Sequence, residues 1–182
     1  ILIFIILFLY FLYDEIKKKD KQELANKYNQ AVINYNSGDK SNTLKDLKII
    51  LNKKDKTYSP LSLYFLIDND LIKSKDEINN YFDLIINEIS LEKEIKNLVI
   101  YKKALYNSNF ANEENLLKII KPIIDADSVW KSHALYLMAE YFYSKGENQK
   151  SLEFFNNILS SESSNKNIKK EALKRIQRDL GE

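Results

Sequence analysis

Cysteine is absent from this chain, and the turn formers are nearly so: 3 Gly and 2 Pro among 182 residues. Without Cys there can be no disulfide, thiolate metal site, Cys nucleophile or lipid-modified Cys anchor. Sandwiches and barrels depend on many tight turns, and the residues that make them are missing. Doubly wound α/β folds need Gly-rich strand-to-helix turns, and none occurs. Histidine appears once, at His133, which cannot build a multi-His metal site, and there is no HExxH. Phosphate loops, nucleophile elbows and dinucleotide fingerprints are missing too. Arginine is confined to Arg175 and Arg178, and the formal net charge is +2, whereas nucleic-acid binders show a clearly basic domain. What remains is an all-α chain with no matched catalytic set, no cofactor motif and no sign of an enzyme.

What the chain has in abundance is apolar surface at its start. Residues 1–13 read ILIFIILFLYFLY, uncharged throughout. A full helical span needs about 20 such residues. The first residue is Ile rather than Met, so the expectation is the C-terminal part of a transmembrane helix. A signal peptide would show a small-residue cleavage site next, and Asp14-Glu15-Ile16-Lys17 offers none. Tyr10 and Tyr13 suit an interfacial aromatic belt. Lys17, Lys18, Lys19 and Lys21 follow directly, and positive-inside counting places that flank in the cytoplasm.

Beyond the apolar run and a charged connector over 14–22, residues 23–182 follow helical spacing with short breaks. Leu24, Tyr28, Ala31, Val32 and Tyr35 mark a first helix ending at Ser37-Gly38. Ser59-Pro60 reads as a helix start that opens Leu63 to Ile72. Ser74 to Glu77 resembles a capping box. Helices are expected from Leu91 to Tyr106, Leu116 to Ile124, Val129 to Tyr143 and Leu152 to Leu159. A charged capping helix over Ile168 to Leu180 closes the domain.

These helices pair, and the pairs repeat. Gly38, Ser74, Phe110 and Gly146 lie 36 residues apart near inter-helix turns. Tyr28, Tyr64, Ile100 and Tyr136 share that period, as do Ile50, Ile86, Pro122 and Ile158. A fixed period of this size means stacked helix hairpins, since one hairpin cannot bury its apolar face alone. The fourth pair carries the tetratricopeptide spacing in Leu135, Met138, Ala139, Phe142, Gly146, Ser151, Phe155 and Ile158. Ala139 and Ser151 are small where the helices cross, and Phe142 and Phe155 fill the space beside the crossing. Ala31, Gly38, Thr43, Leu47 and Ile50 are a weaker copy. Ile67 and Lys103 stand where the middle pairs should be small.

In that register Tyr28, Tyr64, Ile100 and Tyr136 line a groove on the first helices, with Tyr35, Leu71, Asn107 and Tyr143 further along. Tyr provides contact area with few rotamers to freeze, so this column is the candidate protein-binding groove, with core packing as its alternative. The acidic neighbours Glu113-Glu114 and Asp125/Asp127 read as solvated helix starts. Trp130 reads as packing at a helix start. Lys166, Lys169, Lys170, Lys174, Arg175 and Arg178, with Glu171 and Asp179 among them, read as a solvated cap.

A single span, a charged connector and four degenerate hairpins together resemble the YfgM-like family of ancillary SecYEG translocon subunits. The best local match runs from Ile124-Asp125 through Trp130, Ala134-Leu135 and Ser144 to Lys150, ending at Phe155. Tyr28 to Val32 ahead of Gly38 looks like the family's first repeat. The resemblance implies a tetratricopeptide-like solenoid behind a transmembrane helix. It also implies single-pass residence in the bacterial inner membrane with the helical domain in the periplasm. Its partners would be the SecYEG translocon, periplasmic chaperones and exported chains. The lysines after the span favour the other placement, a membrane-tethered cytoplasmic scaffold.

Overall fold

The computed structural model describes residues 2–181, with side chains from Ile3 onward. Among them every regular element is helical: α1 (Leu2–Asn36), α2 (Lys40–Leu51), α3 (Tyr58–Asp68), α4 (Lys75–Glu88), α5 (Lys93–Asn107), α6 (Glu113–Ile124), α7 (Lys131–Ser144), α8 (Asn148–Ser160) and α9 (Lys166–Arg175). A single π-turn, Ile176–Leu180, continues α9. The chain divides into two compact units, Ile1–Ser90 and Leu91–Glu182. Of the 23–182 stretch, residues 23–90 lie in the first unit and 91–182 in the second.

No Gly or Pro interrupts the chain before Gly38, and α1 accordingly runs unbroken for 35 residues, about 50 Å. The apolar run, the 14–22 stretch and the first repeat helix are one rod. The apolar run stops at Asp14, and among the described residues no helix is long and apolar enough to cross a membrane.

Local chemistry sets the ends. Gly38 (φ 90°) closes α1: its N–H reaches the Tyr35 carbonyl and the Asp39 N–H that of Asn34. Gly146 (φ 75°) closes α7 with the same pair of bonds, to Tyr143 and Phe142. This is the left-handed C-cap that glycine adopts without a Cβ penalty. Asp70 makes the same cap at φ 52°, with Asp70 and Leu71 N–H groups on the Ile67 and Leu66 carbonyls. α3 therefore ends at Asp68, four residues before the expected Ile72. Its start differs as well. Asp55 Oδ1 accepts from the Thr57 and Tyr58 N–H groups, so the helix begins at Tyr58. Ser59, expected as the cap, is buried and donates to the Ile50 carbonyl (3.3 Å). Ser74 does cap α4, accepting from the Glu77 N–H (3.2 Å).

Within each unit consecutive helices pack on one another, and so do α1 with α3, α5 with α7 and α7 with α9. The second helix of every hairpin buries positions i, i+4 and i+7. These are Thr43, Leu47 and Ile50; Ile78, Phe82 and Ile85; Leu116, Ile120 and Ile123; Ser151, Phe155 and Ile158. Twelve residues before each triplet lies a fully buried residue of the partner helix: Ala31, Leu66, Ala104 and Ala139. In the first hairpin the crossing is close enough for Thr43 Oγ1 to donate to the Ala31 backbone carbonyl at 3.1 Å.

These positions correct the 36-residue register. From hairpin to hairpin they advance by 35, then 38, then 35 residues. The total is the same, so a fixed 36 fits the first and last hairpins and misses the middle two. Ile85 and Ile123 are fully buried, whereas Ile86 is half-buried and Pro122 exposed. The crossing residues are Leu66 and Ala104, not Ile67 and Lys103. One residue along a helix is a turn of about 100°, enough to exchange core for surface.

The second unit has its own centre in Leu135, Ala139, Phe155, Ile158 and Ala172, closed over by Ile168, Ile176 and Leu180. The last stretch thus contributes apolar cover as well as charge. Each fully buried Phe or Leu here stabilises by about 1.5–3 kcal/mol.

Candidate functional site

The eight residues of the expected groove divide between the two units, four in each, and differ in burial. Ile100 and Asn107 are buried, at 7% and 6% exposure. Ile100 lies 35 residues before the buried Leu135, and Asn107 35 before the buried Phe142, so both belong to the core side of α5. Asn107 Nδ2 donates to the Lys103 carbonyl (2.8 Å). Leu71 is half-buried in the link after α3, on no helix. Tyr64 is half-buried, and burial pushes its phenol up to about 12.

The remaining four sit on two half-buried stripes. On α1 of the first unit, Tyr28 and Tyr35 flank Val32. Both rings pack on Phe65 of α3, at 6.5 Å and 5.2 Å between centroids, and Tyr28 also meets Tyr58 at 5.8 Å. On α7 of the second unit, His133, Tyr136, Glu140 and Tyr143 share one face, all half-buried. The matching stripe of α5 runs through Leu98, Tyr101 and Leu105 to Ser108, the residue just after the helix. The residue that corresponds to Tyr136 is therefore Tyr101. Spacing could have found it, had Ala104 been aligned with Ala139.

Tyr101 stacks on Trp130 (5.6 Å, 23° between planes), and His133 lies edge-on to Tyr101 at 6.0 Å and tilted by 52° against Trp130 at 5.2 Å. The turn that carries Trp130 is tied to α5. Ser128 Oγ donates to Glu94 Oε2 (2.8 Å), Asn97 Nδ2 donates to Ser128 Oγ (3.0 Å), and Lys93 Nζ donates to the Asp127 carbonyl (2.7 Å). Burial raises the Tyr101 phenol.

At the other end of the α7 stripe, Arg175 of α9 makes a two-point ion pair with Glu140 (2.6 and 2.8 Å) and also pairs with Asp179. Its guanidinium lies 4.5 Å from the Tyr143 ring centre. The hydrogen bond it donates to Glu140 raises Arg175 further above its ordinary value. Tyr136 packs edge-on against Phe155 (5.4 Å), and burial, then the Glu140 charge, raises its phenol. This end of the stripe is closed by α9. Arg175, expected as a solvated basic residue, is only 16% exposed.

Chemically, the second-unit stripe offers aromatic faces, a ring nitrogen and a carboxylate already paired. Such a surface binds by area and stacking. Among the described residues no three His, Asp or Glu side chains converge as a metal-binding group. Comparisons with protein-family models, with curated proteins and with solved structures find no match to this chain.

The other conspicuous surface is the start of α1. Every residue from Ile3 to Tyr13 is exposed, between 44% and 77%. Over these three turns the apolar surface encircles the helix. Lys17 Nζ lies 5.8 Å from the Tyr13 ring centre, where the charged stretch begins.

Proposed function

We propose that this chain is a membrane-anchored protein-interaction module, held by the start of α1 and presenting hairpin surfaces to protein partners. The observation that carries the anchoring is the encircling apolar surface of residues 3–13. A partner groove covers one stripe of a helix, whereas a bilayer surrounds it. Apolar surface of this extent marks a membrane or protein contact. Residues 3–13 account for about 16 Å of a hydrocarbon core about 30 Å thick, and the reading is that they form the C-terminal part of a transmembrane helix. The hairpin pattern supports the interaction role. The buried i, i+4, i+7 triplets, each with its crossing residue twelve positions earlier, are what a tetratricopeptide-like solenoid needs.

The finer reading rests on the YfgM-like resemblance. The chain would sit in a bacterial inner membrane with its hairpins in the periplasm, beside the SecYEG translocon, assisting exported chains and periplasmic chaperones. The cytoplasmic scaffold is the second reading, favoured by Lys17, Lys18, Lys19 and Lys21 directly after the apolar run. Liposome flotation tests the anchoring: the chain should float, and Leu7→Lys with Phe11→Lys should stay at the bottom. Flotation of the double variant at the parental level overturns it. Protease added to intact spheroplasts separates the two placements, since a periplasmic domain is degraded and a cytoplasmic one survives until lysis.

A further inference from the structure

Contacts within the first unit fix how far its hairpins fold back along α1. Thr43 Oγ1 donates to the Ala31 carbonyl (3.1 Å), and α2 runs from there toward the start of α1. Followed an equal distance along both helices, this brings Leu51 level with Glu23. α3 then runs back the other way: Tyr58 meets the Tyr28 ring at 5.8 Å and Phe65 the Tyr35 ring at 5.2 Å. The turn between α2 and α3, residues 52–57, therefore lies beside α1 on the side of the apolar run. The Glu23 carboxyl is held below its ordinary value by the bond from Lys27 first, and Lys53 of the turn contributes. The end of α4 reaches the turn as well, since Glu88 pairs with Lys54 at 2.6 Å. From Tyr13 to Glu23 the helix rises about 15 Å.

The balance of charge at this level is positive. Lys18 pairs with Asp14, Lys27 with Glu23 and Lys54 with Glu88. Lys17, Lys19, Lys21, Lys53 and Lys56 remain, all exposed, against Glu15, Asp20 and Asp55. Asp55 is half-buried, and its Oδ1 already accepts from the Thr57 and Tyr58 N–H groups. We propose, resting on the anchoring described above, that the α2–α3 turn is a second membrane contact, in which Lys53 and Lys56 meet the anionic headgroups of the bilayer that holds the start of α1. Lys17, Lys19 and Lys21 begin the same line of charge at the headgroups themselves. The distance allows it. A headgroup layer about 5–8 Å deep leaves the turn about 7–10 Å above it when α1 stands upright. Extended lysine side chains cover much of that gap, and the Debye length at physiological salt is about 8 Å. A helix tilt of about 20° toward α2 closes the rest. One helix alone leaves its lean undetermined; the second contact sets it, and lays the first unit against the membrane surface.

The chain has no cysteine, so one introduced thiol carries one fluorophore. Thr57→Cys places it on the turn, and Lys73→Cys places it on the α3–α4 link at the opposite end of the unit; both residues are exposed. The labelled chain is floated with vesicles of phosphatidylcholine alone or mixed equally with phosphatidylglycerol, each containing a lipid with a nitroxide quencher on its headgroup. In the mixed vesicles the Thr57→Cys label should be quenched at least twice as strongly as the Lys73→Cys label. That excess should shrink in phosphatidylcholine alone and with Lys53→Gln plus Lys56→Gln, while flotation persists. It should shrink also at about 1 M salt, where the Debye length is about 3 Å. Equal quenching of the two labels on chain that floats with mixed vesicles overturns the inference and leaves the anchoring intact. So does an excess that neither salt nor the glutamine variants diminish. Failure of the parent chain to float with either vesicle overturns the anchoring, and the inference with it.

Discussion

Ala139→Leu places three extra carbons at a point with no room for them. Ala139 is fully buried, grouped with Leu135, Phe155, Ile158 and Ala172, and each of these neighbours is itself at most 3% exposed. Overpacking of a filled core costs about 1–3 kcal/mol, because side chains leave their rotamers and helices shift apart. In a unit of about 90 residues, each kcal/mol lowers the melting temperature by roughly 4–8 °C. A fall of about 4–24 °C in the transition reported by Trp130 fluorescence is therefore expected. Ala104→Leu tests the register at the same time. Ala104 holds the equivalent position 35 residues earlier and is equally buried, so it should cost a similar amount. Lys103→Ala should cost little, since Lys103 is only half-buried. An unchanged melting temperature for both leucine variants would mean that the crossing is looser than the burial implies. A large loss from Lys103→Ala with none from Ala104→Leu would restore the 36-residue register.

The same reasoning yields further expectations. Ile100→Ala should destabilise the second unit by about 2–4 kcal/mol in urea unfolding, as deletion of a buried side chain does. Tyr101→Ala with Tyr136→Ala should reduce partner capture by crosslinking while the fold survives; unfolding of that pair would make both rings core. Gly146→Ala should cost about 1 kcal/mol through backbone strain alone, because an added Cβ at φ 75° meets nothing within 4 Å. Conversely, Lys54 sits at φ 55°, so Lys54→Gly should stabilise the first unit by roughly 0.5–1 kcal/mol in the same urea assay. Burial pushes the Tyr64 phenol up to about 12 from an ordinary 10, so the unfolded chain loses that proton first. The stability this supplies is complete below pH 10 and is lost as pH rises through 12. Alkaline unfolding should therefore be shallower in Tyr64→Phe.

Much of this protein was legible in its sequence because the relevant physics is local. Three glycines, two prolines and no cysteine leave an α-helical chain as the economical solution. The caps at Gly38, Ser74 and Gly146 stand where the residue types put them, since a left-handed C-cap and a hydroxyl N-cap each act within one turn. The core of the fourth hairpin, from Leu135 to Ile158, could be assigned by spacing alone, with small residues at Ala139 and Ser151 to mark the crossing. Phase was another matter. A residue faces core or surface according to its angle around the helix, and one residue of error is about 100°. The intervals of 35, 38 and 35 sum to three times 36, so the outer hairpins agreed with a false period and concealed the slip between them. Only burial placed Leu66 and Ala104 at their crossings, sent Ile100 and Asn107 to the core side, and brought Tyr101 onto Trp130. The Glu140–Arg175 pair spans 35 residues and the Ser128–Glu94 bond 34. Tertiary packing alone decides such contacts, because charge and hydrogen-bonding capacity are written in the chain while the meeting of two helices is not.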